Sequence, residues 1–235
     1  MGVIIYYCNK VQNIVKKGGQ YMVSNFQEST WLGQFGKDYT DRCTFDPDQL
    51  NNLYIREFGI SRFDMNSRFL SGLGLEDKRI LEVGCNVGNQ LRLLQKMGYK
   101  NLYGIELQEY AIQKAKSLTS GINIIKATAD DIPFKDNYFD MVFTSGVLIH
   151  IAPDNIDMVL DEIYRCSKEF IWGFEYYADE YTEVNYRGNS DLLWKTNFVK
   201  LYMDRFPDLE LIKEEKYKYL YNDNVDSMFF LRKKK

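Results

Sequence analysis

The chain lacks the residue patterns that hold metal ions or cross-link small secreted proteins. Its four cysteines are far apart and form no C-x-x-C pair, which argues against a zinc site and a disulfide framework. They are Cys8, Cys43, Cys85 and Cys166. The 235 residues include one histidine, so a histidine-rich metal site is impossible. We therefore expect no metal cofactor.

A charge of one sign and a long apolar run are also missing. The formal net charge is −3, from 30 basic and 33 acidic residues, so no overall field favours nucleic acid. The apolar residues 3–8 are too few to span a membrane, and no basic region precedes them as in a signal peptide. These absences predict a cytoplasmic protein that has neither nucleic acid nor membrane as a partner.

The sequence does contain a regular alternation of strand and helix patterns. Strands are predicted at residues 79–84, 101–106, 122–126, 138–144, 169–175, 210–216 and 227–232, and helices at 88–97, 108–118 and 154–166. Such alternation is typical of βαβ units, so we expect an α/β fold with a mostly parallel seven-stranded sheet and helices on both faces. Ligands of such sheets bind at the carboxyl ends of the strands.

A glycine turn follows the first of these strands and opens a helix. The strand ends at Gly84, and helically spaced apolar residues begin at Leu91. Gly84 and Gly88 have no Cβ and adopt positive φ easily, so a ligand can approach bare backbone there. The helix beyond presents unpaired N–H groups. The turn therefore has the backbone features of a ligand-binding site.

Three acidic positions decide which ligand this turn favours. NAD would require the G-x-G-x-x-G spacing, but here the glycines are spaced G-x-x-x-G, and Glu82 would repel a pyrophosphate. Glu82 suits the ammonium group of S-adenosylmethionine (SAM) instead, and Glu106 can accept both ribose hydroxyls. Asp130 or Asp131 can receive the adenine amino group, with Ile132 or Phe134 beside the ring. We expect SAM, and an NAD-dependent oxidoreductase stays the alternative.

At these residues the chain resembles the class I SAM-dependent methyltransferases of Rossmann-like fold. Residues 82–88 are similar to their E-x-G-x-G-x-G signature, with Asn86 in place of the middle glycine. Among residues other than glycine, asparagine tolerates left-handed backbone best, so the departure from the signature is mild. Residues 35–42, 84–90, 143–151, 172–177 and 186–188 resemble more closely the pseudaminic acid biosynthesis-associated methylases. The resemblance spans residues 31–233.

The resemblance implies a cofactor site for SAM, with S-adenosylhomocysteine as the product. Its residues would be Tyr39, Arg42, Glu82, Gly84, Cys85, Asn86, Gly88, Asn89, Glu106, Leu107, Asp130, Asp131, Ile132, Ser145 and Gly146. Tyr39 and Arg42 have an equal alternative. Tyr39 would pack the helical segment before the sheet onto the core, and Arg42 would pair with a surface carboxylate. The last two strands would form the antiparallel pair that the superfamily carries.

Methyl transfer from a sulfonium needs alignment of the acceptor more than chemical activation. A general base is required only if the acceptor atom arrives protonated. His150, after the fourth strand, is the first candidate for that base, and Glu175 and Tyr177 at the end of the fifth are next. His150 has an equal alternative as a hydrogen-bonded structural residue.

Residues 176–208 form an insertion after the fifth strand that is rich in tyrosine and acidic residues. Tyr176, Tyr186 and Arg187 could hold a sugar by stacking and hydrogen bonds; a solvated acidic loop is the alternative. The resemblance implies a small-molecule acceptor, a sugar or nucleotide-sugar of surface-glycan synthesis. Other options are a methyltransferase for tRNA or protein and a SAM-binding module without turnover. A monomer or a homodimer fits equally.

The domain organisation predicted from the sequence has one SAM-binding domain over residues 31–235 and an N-terminal arm of unknown role over residues 1–30. Residues 31–75 would be a helical cap, with helix starts at Asp46 and Ser61, and residues 76–235 the Rossmann-like core. Residues 35–42 contain Gly36 and are expected to be irregular. A further helix is predicted over residues 191–205, before Pro207.

Overall fold

A seven-stranded sheet lies at the centre of the protein in the computed structural model, which describes residues 13–17, 20–24 and 26–234, with side chains from residue 26 onward. The strands are β1 (Asn13–Lys17), β2 (Gln20–Ser24), β3 (Arg79–Val83), β4 (Asn101–Glu106), β5 (Asn123–Lys126), β6 (Phe139–Ser145), β7 (Ser167–Tyr176), β8 (Thr182–Glu183), β9 (Trp194–Lys195), β10 (Leu209–Lys218) and β11 (Val225–Lys233). The α-helices are α1 (Phe26–Leu32), α2 (Gln34–Arg42), α3 (Pro47–Phe58), α4 (Arg62–Leu70), α5 (Asn89–Lys96), α6 (Glu109–Leu118), α7 (Ile156–Cys166) and α8 (Phe198–Arg205).

The strand order of the central sheet is β10-β11-β7-β6-β3-β4-β5. Strands β3 to β7 pair in parallel, and β11 pairs antiparallel with both β7 and β10. The predicted mostly parallel seven-stranded Rossmann-like sheet is therefore confirmed. The chain runs from β3 outward to β5 and then returns to place β6 on the other side of β3. This reversal creates a crevice at the carboxyl ends of β3 and β6, where ligands of such sheets bind.

Both faces of the sheet are covered by apolar packing. One cluster joins β3 and β6 to α7 and α8, and the second joins them to α4, α5 and β11. Trp172 of β7 is 1 % exposed and packs on Phe143, with ring centroids 5.0 Å apart. Parallel strands that are buried on both faces have continuous runs of apolar residues. Their positions could therefore be predicted from the sequence.

The cap helices, α1–α4, correspond to the helical cap predicted over residues 31–75. Asp46 accepts hydrogen bonds from the N–H groups of Asp48 and Gln49 in a capping box, and Ser61 accepts one from Asp64. Both predicted helix starts are confirmed. The predicted boundary at residue 30 falls inside α1. No helix of the described residues has the length and apolarity to cross a membrane.

Two local predictions are wrong. Residues 35–42, expected to be irregular, belong to α2, because Gly36 allows the close contact of α2 with α1 instead of interrupting the helix. The helix predicted over residues 191–205 starts only at Phe198, since the residues before it pair as β9 with β8. In the N-terminal arm, residues 13–17 form a strand that pairs antiparallel with β2.

Candidate functional site

A cavity of about 420 Å³ lies at the carboxyl ends of β3, β4, β6 and β7, beneath the cap helices. It brings together most of the residues that the sequence proposed for binding and chemistry. These are Tyr39, Glu82, Gly84, Cys85, Asn86, Asn89, Glu106, Leu107, Asp130, Ser145, Gly146, His150, Glu175, Tyr176 and Tyr186. Residues chosen from seven separate segments of the chain therefore line one cavity.

The glycine turn has the predicted backbone conformation. Gly84, Asn86 and Gly88 have φ of 69°, 48° and 78°, so the asparagine does occupy left-handed backbone. A Cβ on Gly84 would lie 2.8 Å from Cγ2 of Val147, which shows how closely this turn passes the loop after β6. The turn is fixed to the neighbouring strand by the Cys85 N–H, which donates to the Ile105 carbonyl at 3.0 Å.

Glu106 is anchored at the end of β4 by two backbone hydrogen bonds. Its Oε2 accepts from the Asn86 N–H at 2.9 Å and its Oε1 from the Gln108 N–H at 2.8 Å. Burial raises the pKa of this carboxyl, and the two N–H groups counteract the rise because they favour the charged form. Each oxygen keeps a second lone pair. Glu106 is thus oriented in advance to accept hydrogen bonds from a ligand.

Several buried polar atoms on the cavity wall have no hydrogen-bond partner among the described residues. They are Trp31 Nε1, Glu82 Oε2, Asn86 Oδ1, Gln90 Oε1 and Asp226 Oδ1. Leaving such atoms unpaired costs about 1–3 kcal/mol each, so their concentration here indicates a polar ligand. The pKa of Glu82 is raised well above its usual range by burial, and Arg62 opposes that rise. An unpartnered carboxylate oxygen suits a donor such as an ammonium group.

His150 and Glu175 are joined through the loop that follows β6. The Glu175 carboxylate accepts from the Val147 N–H at 3.0 Å and from the Ile149 N–H at 3.5 Å, and burial raises its pKa to about 7. His150 follows directly in the short 3₁₀ turn Leu148–His150. Glu175 therefore holds the backbone that carries His150.

The imidazole of His150 is enclosed by aromatic rings and bonded on one side. Its Nδ1 lies 2.7 Å from the Leu192 carbonyl oxygen, and its ring centroid is 4.6 Å from that of Trp31 and 5.4 Å from that of Tyr186. Burial lowers the pKa of His150 to about 4, so the ring is neutral near pH 7. A neutral ring donates its Nδ1–H to the carbonyl and keeps the Nε2 lone pair as an acceptor.

The stability of the protein should therefore depend on pH through its one histidine. The unfolded chain takes up this proton near pH 6.5 and the folded protein near pH 4, so stability falls as the pH drops through that window. Between about pH 7.5 and about pH 5.0, wild type should lose about 2 kcal/mol of unfolding free energy relative to His150→Gln. Urea unfolding of both proteins at the two pH values measures this difference; parallel pH dependence would contradict it.

Six predicted site residues lie outside the cavity lining. Arg42, Asp131 and Arg187 are exposed. Gly88 is the N-cap of α5, and Ile132 is buried in the core with its N–H bonded to Glu162 at 2.8 Å. The sixth residue is Tyr177. Of the two adjacent aspartates, only Asp130 lines the cavity.

The hydroxyl of Tyr177 is engaged elsewhere. It donates to Asp179 at 2.5 Å, and its ring packs against the ammonium group of Lys216. The Asp179 carboxylate raises the pKa of Tyr177 to about 12. Tyr177 therefore does not line the cavity with His150 and Glu175, which it was expected to join.

Sequence reasoning missed several lining residues that arrive from distant elements. Trp31 and Gln108 connect the cap helices to the core: Gln108 Nε2 donates to the Trp31 carbonyl at 2.6 Å. Asp226 comes from β11, at the far end of the chain. Asp226 lies just before the strand predicted over residues 227–232, and no sequence signal marked it as a site residue. Among the described residues, no group of three or more histidine, cysteine or acidic side chains could hold a metal ion.

Known proteins with similar sequence or structure include methyltransferases. Residues 81–169 match the methyltransferase domain family. Cycloartenol-C-24-methyltransferase 1 of Oryza sativa subsp. japonica is 34 % identical over 96 residues, which are 38 % of this chain and 27 % of that protein. Sterol 24-C-methyltransferase of Pneumocystis carinii is 30 % identical over 153 residues, 63 % of this chain and 37 % of that protein.

Solved structures agree on the fold. A SAM-dependent methyltransferase from Methanosarcina mazei superimposes with a TM-score of 0.58 and 17 % identity over 72 % of this chain and 97 % of that one. The fold is therefore the Rossmann-like fold that is also found in SAM-dependent methyltransferases, and residues 81–169 are similar to the methyltransferase domain family. It spans between about a quarter and two fifths of the length of the two sterol enzymes.

Proposed function

We propose that the protein is a SAM-dependent methyltransferase that acts on nitrogen or oxygen of a small polar acceptor. The observation that carries this proposal is that Glu82, the Gly84 turn and Glu106 line one cavity at the switch point of the sheet. The matched methyltransferase domain covers all three.

The residues of the cavity fit the parts of the cofactor. The unpartnered Glu82 Oε2 and Asn86 Oδ1 would accept hydrogen bonds from its amino-acid end. Glu106 would accept the ribose hydroxyls, and Asp130 the adenine amino group. Bound SAM would supply a methyl group on a positively charged sulfur, and the sulfur would leave as a neutral thioether when the acceptor takes the methyl group.

His150 is our proposed acceptor-side base, and Glu175 its positioning residue. A neutral imidazole with a free Nε2 can take a proton from an ammonium or hydroxyl group. Because its pKa is lowered to about 4, His150 would first accept a hydrogen bond that orients the acceptor atom, and would take the proton only as the new bond to the methyl carbon makes that proton more acidic. Glu175 would keep the loop, and with it the ring, in place through the bonds to Val147 and Ile149.

The proposed acceptor is a sugar or a nucleotide-sugar. The sterol enzymes that resemble this chain are named for carbon methylation of large apolar molecules, and the matched stretches leave at least a third of this chain uncovered. A sterol has few polar groups, so it would leave the buried Asp226 Oδ1, which has no partner among the described residues, facing an apolar surface at considerable cost. Tyr176 and Tyr186 on the cavity wall offer rings and hydroxyls to a polar ring.

The direct test is transfer of a radiolabelled methyl group from SAM to a panel of acceptors. The panel should contain aminosugars, nucleotide-sugars, a sterol and bulk tRNA. We expect label on an aminosugar or nucleotide-sugar and none on the sterol. Label on the sterol or on tRNA would replace the proposed acceptor class, and tighter binding of NADH than of S-adenosylhomocysteine would refute the proposed cofactor.

A further inference from the structure

One end of the cavity is built from aromatic rings contributed by three separate parts of the chain. Tyr54 and Phe58 come from α3, Tyr176 from the end of β7, and Tyr219 from the turn after β10, and all four line the cavity. The ring centroids of Phe58 and Tyr219 are 4.4 Å apart, those of Tyr54 and Phe58 5.5 Å, and those of Tyr176 and Tyr219 6.0 Å. We refer to these four residues as the aromatic end.

Asp226 lies at the aromatic end and is only 3 % exposed. Its Oδ2 accepts from the Tyr219 hydroxyl at 3.2 Å, and its Oδ1 has no hydrogen-bond partner in the described part of the chain. The ammonium group of Lys195 is bonded at 2.5 Å to Asn224 instead, and no ion pair to Asp226 is found among residues 26–234. Two cations lie near this end, Lys195 with its ammonium 5.3 Å from the Tyr176 ring centroid and Arg62 with its guanidinium 5.1 Å from that of Tyr54. Neither forms a direct ion pair with Asp226 in the described part of the chain, so its Oδ1 stays open to a ligand.

We propose that the aromatic end binds a cationic amine of the acceptor, with Asp226 as its counter-ion and the aromatic rings as its walls. This inference rests on the proposed function, since it names a recognition group of the same acceptor. A buried carboxylate is retained at such cost when a ligand compensates its charge. Faces of tyrosine and phenylalanine attract a cation most strongly where water is excluded. A hydroxyl group would fill the Oδ1 hydrogen bond but supply no compensating charge.

The charged groups around Asp226 make ligand binding a proton-linked event. Burial raises the pKa of Asp226 well above its usual range, and the Glu175 carboxylate adds to that rise. The Tyr219 hydrogen bond and the charges of Arg62 and Lys195 oppose it. The raised pKa favours the protonated acid in the empty cavity. An arriving cation favours the ionised form, so amine binding should release a proton to the solvent.

The test compares benzylamine with benzyl alcohol, which differ in charge but little in shape. Each is titrated calorimetrically into the full-length protein, with and without saturating S-adenosylhomocysteine. We expect benzylamine to bind at least about tenfold more tightly than the alcohol. Its binding enthalpy should also change between two buffers of different ionisation enthalpy, which reports the released proton.

Variants separate this site from a general attraction of cations. Asp226→Asn should abolish the amine preference and leave S-adenosylhomocysteine binding unchanged. Asp208→Asn is the matched control, because Asp208 also accepts from a tyrosine hydroxyl, that of Tyr164 at 2.6 Å, but lies outside the cavity lining. If Asp226→Asn does not fold, Tyr176→Leu should still weaken the binding of benzylamine more than the binding of benzyl alcohol.

The outcomes distinguish this inference from the proposed function. Equal affinity for the two probes, or an amine preference that persists in Asp226→Asn, would overturn the amine site even if S-adenosylhomocysteine binds. An amine preference that Asp226→Asn removes, in a protein that does not bind S-adenosylhomocysteine, would support the amine site and refute the methyltransferase.

Discussion

Replacing Glu106 with alanine should nearly abolish binding of S-adenosylhomocysteine. The carboxylate would accept two ribose hydroxyls, and its loss leaves these groups unpaired in a buried site, at a cost of about 2–4 kcal/mol. Affinity should therefore fall by about 30-fold to about 1,000-fold. Part of this loss has a second cause, because Glu106 also holds the Asn86 and Gln108 N–H groups at 2.9 and 2.8 Å. Isothermal titration calorimetry measures the effect.

The conservative variant Glu106→Gln separates the two causes. Glutamine keeps one acceptor oxygen and the shape of the side chain but cannot accept from both ribose hydroxyls and both backbone N–H groups at once. We expect an intermediate loss of affinity and a loss of about 1 kcal/mol of stability, because one of the two backbone N–H groups then faces the amide NH2 group instead of an oxygen. If Glu106→Ala bound S-adenosylhomocysteine as tightly as wild type, the ribose assignment would fail.

Replacing Gly36 with alanine should separate the cap helices from the core. A Cβ at this position would lie 1.9 Å from the Trp31 carbonyl oxygen and 2.5 Å from Gln108 Nε2. A backbone oxygen cannot rotate away, so α1 and α2 must move apart and the Gln108 bond to Trp31 breaks. We expect destabilisation of about 3 kcal/mol, at the upper end for overpacking, and at least about tenfold weaker cofactor binding. Thermal unfolding and calorimetry would show both effects.

Gly33 provides the matched control for this substitution. It lies three residues earlier, its φ is −82°, and an added Cβ would make ordinary contacts of 3.4 Å with the Ser29 and Thr30 carbonyl oxygens. Gly33→Ala should therefore unfold and bind like wild type. Equal behaviour of the two variants would show that the close packing of α2 on α1 is not needed for the site.

The central sheet could be predicted because its strands carry their own signal. Strands β3, β4, β6 and β7 are short apolar runs, and the glycine turn after β3 follows from residues adjacent in sequence. The parallel order then places the strand ends, and with them Gly84, Glu106 and Ser145, at one edge. At Gly84, Glu106 and Ser145 the apolar runs of the sequence and the order of the strands lead to the same prediction.

The parts that could not be predicted depend on contacts between distant segments. Gly36 looks like a helix breaker until the Trp31 carbonyl is seen against it, and residues 194–195 fall within a predicted helix although they pair with β8. Asp226 has no motif around it, and its place in the site follows only from the pairing of β11 with β7. Tertiary contacts overrode local preference in each case.

The hydrogen bonds between the cap helices and the core have a kinetic consequence. Asn89 Nδ2 donates to the Cys43 carbonyl at 2.6 Å, Asn89 Oδ1 accepts from the Phe45 N–H at 3.2 Å, and Arg92 donates to the Phe45 carbonyl at 3.0 Å. We predict that these bonds must open for S-adenosylhomocysteine to leave the cavity beneath the cap helices. The slow step of each cycle would then be the escape of S-adenosylhomocysteine, so turnover should slow in viscous solvent while a single round of transfer does not.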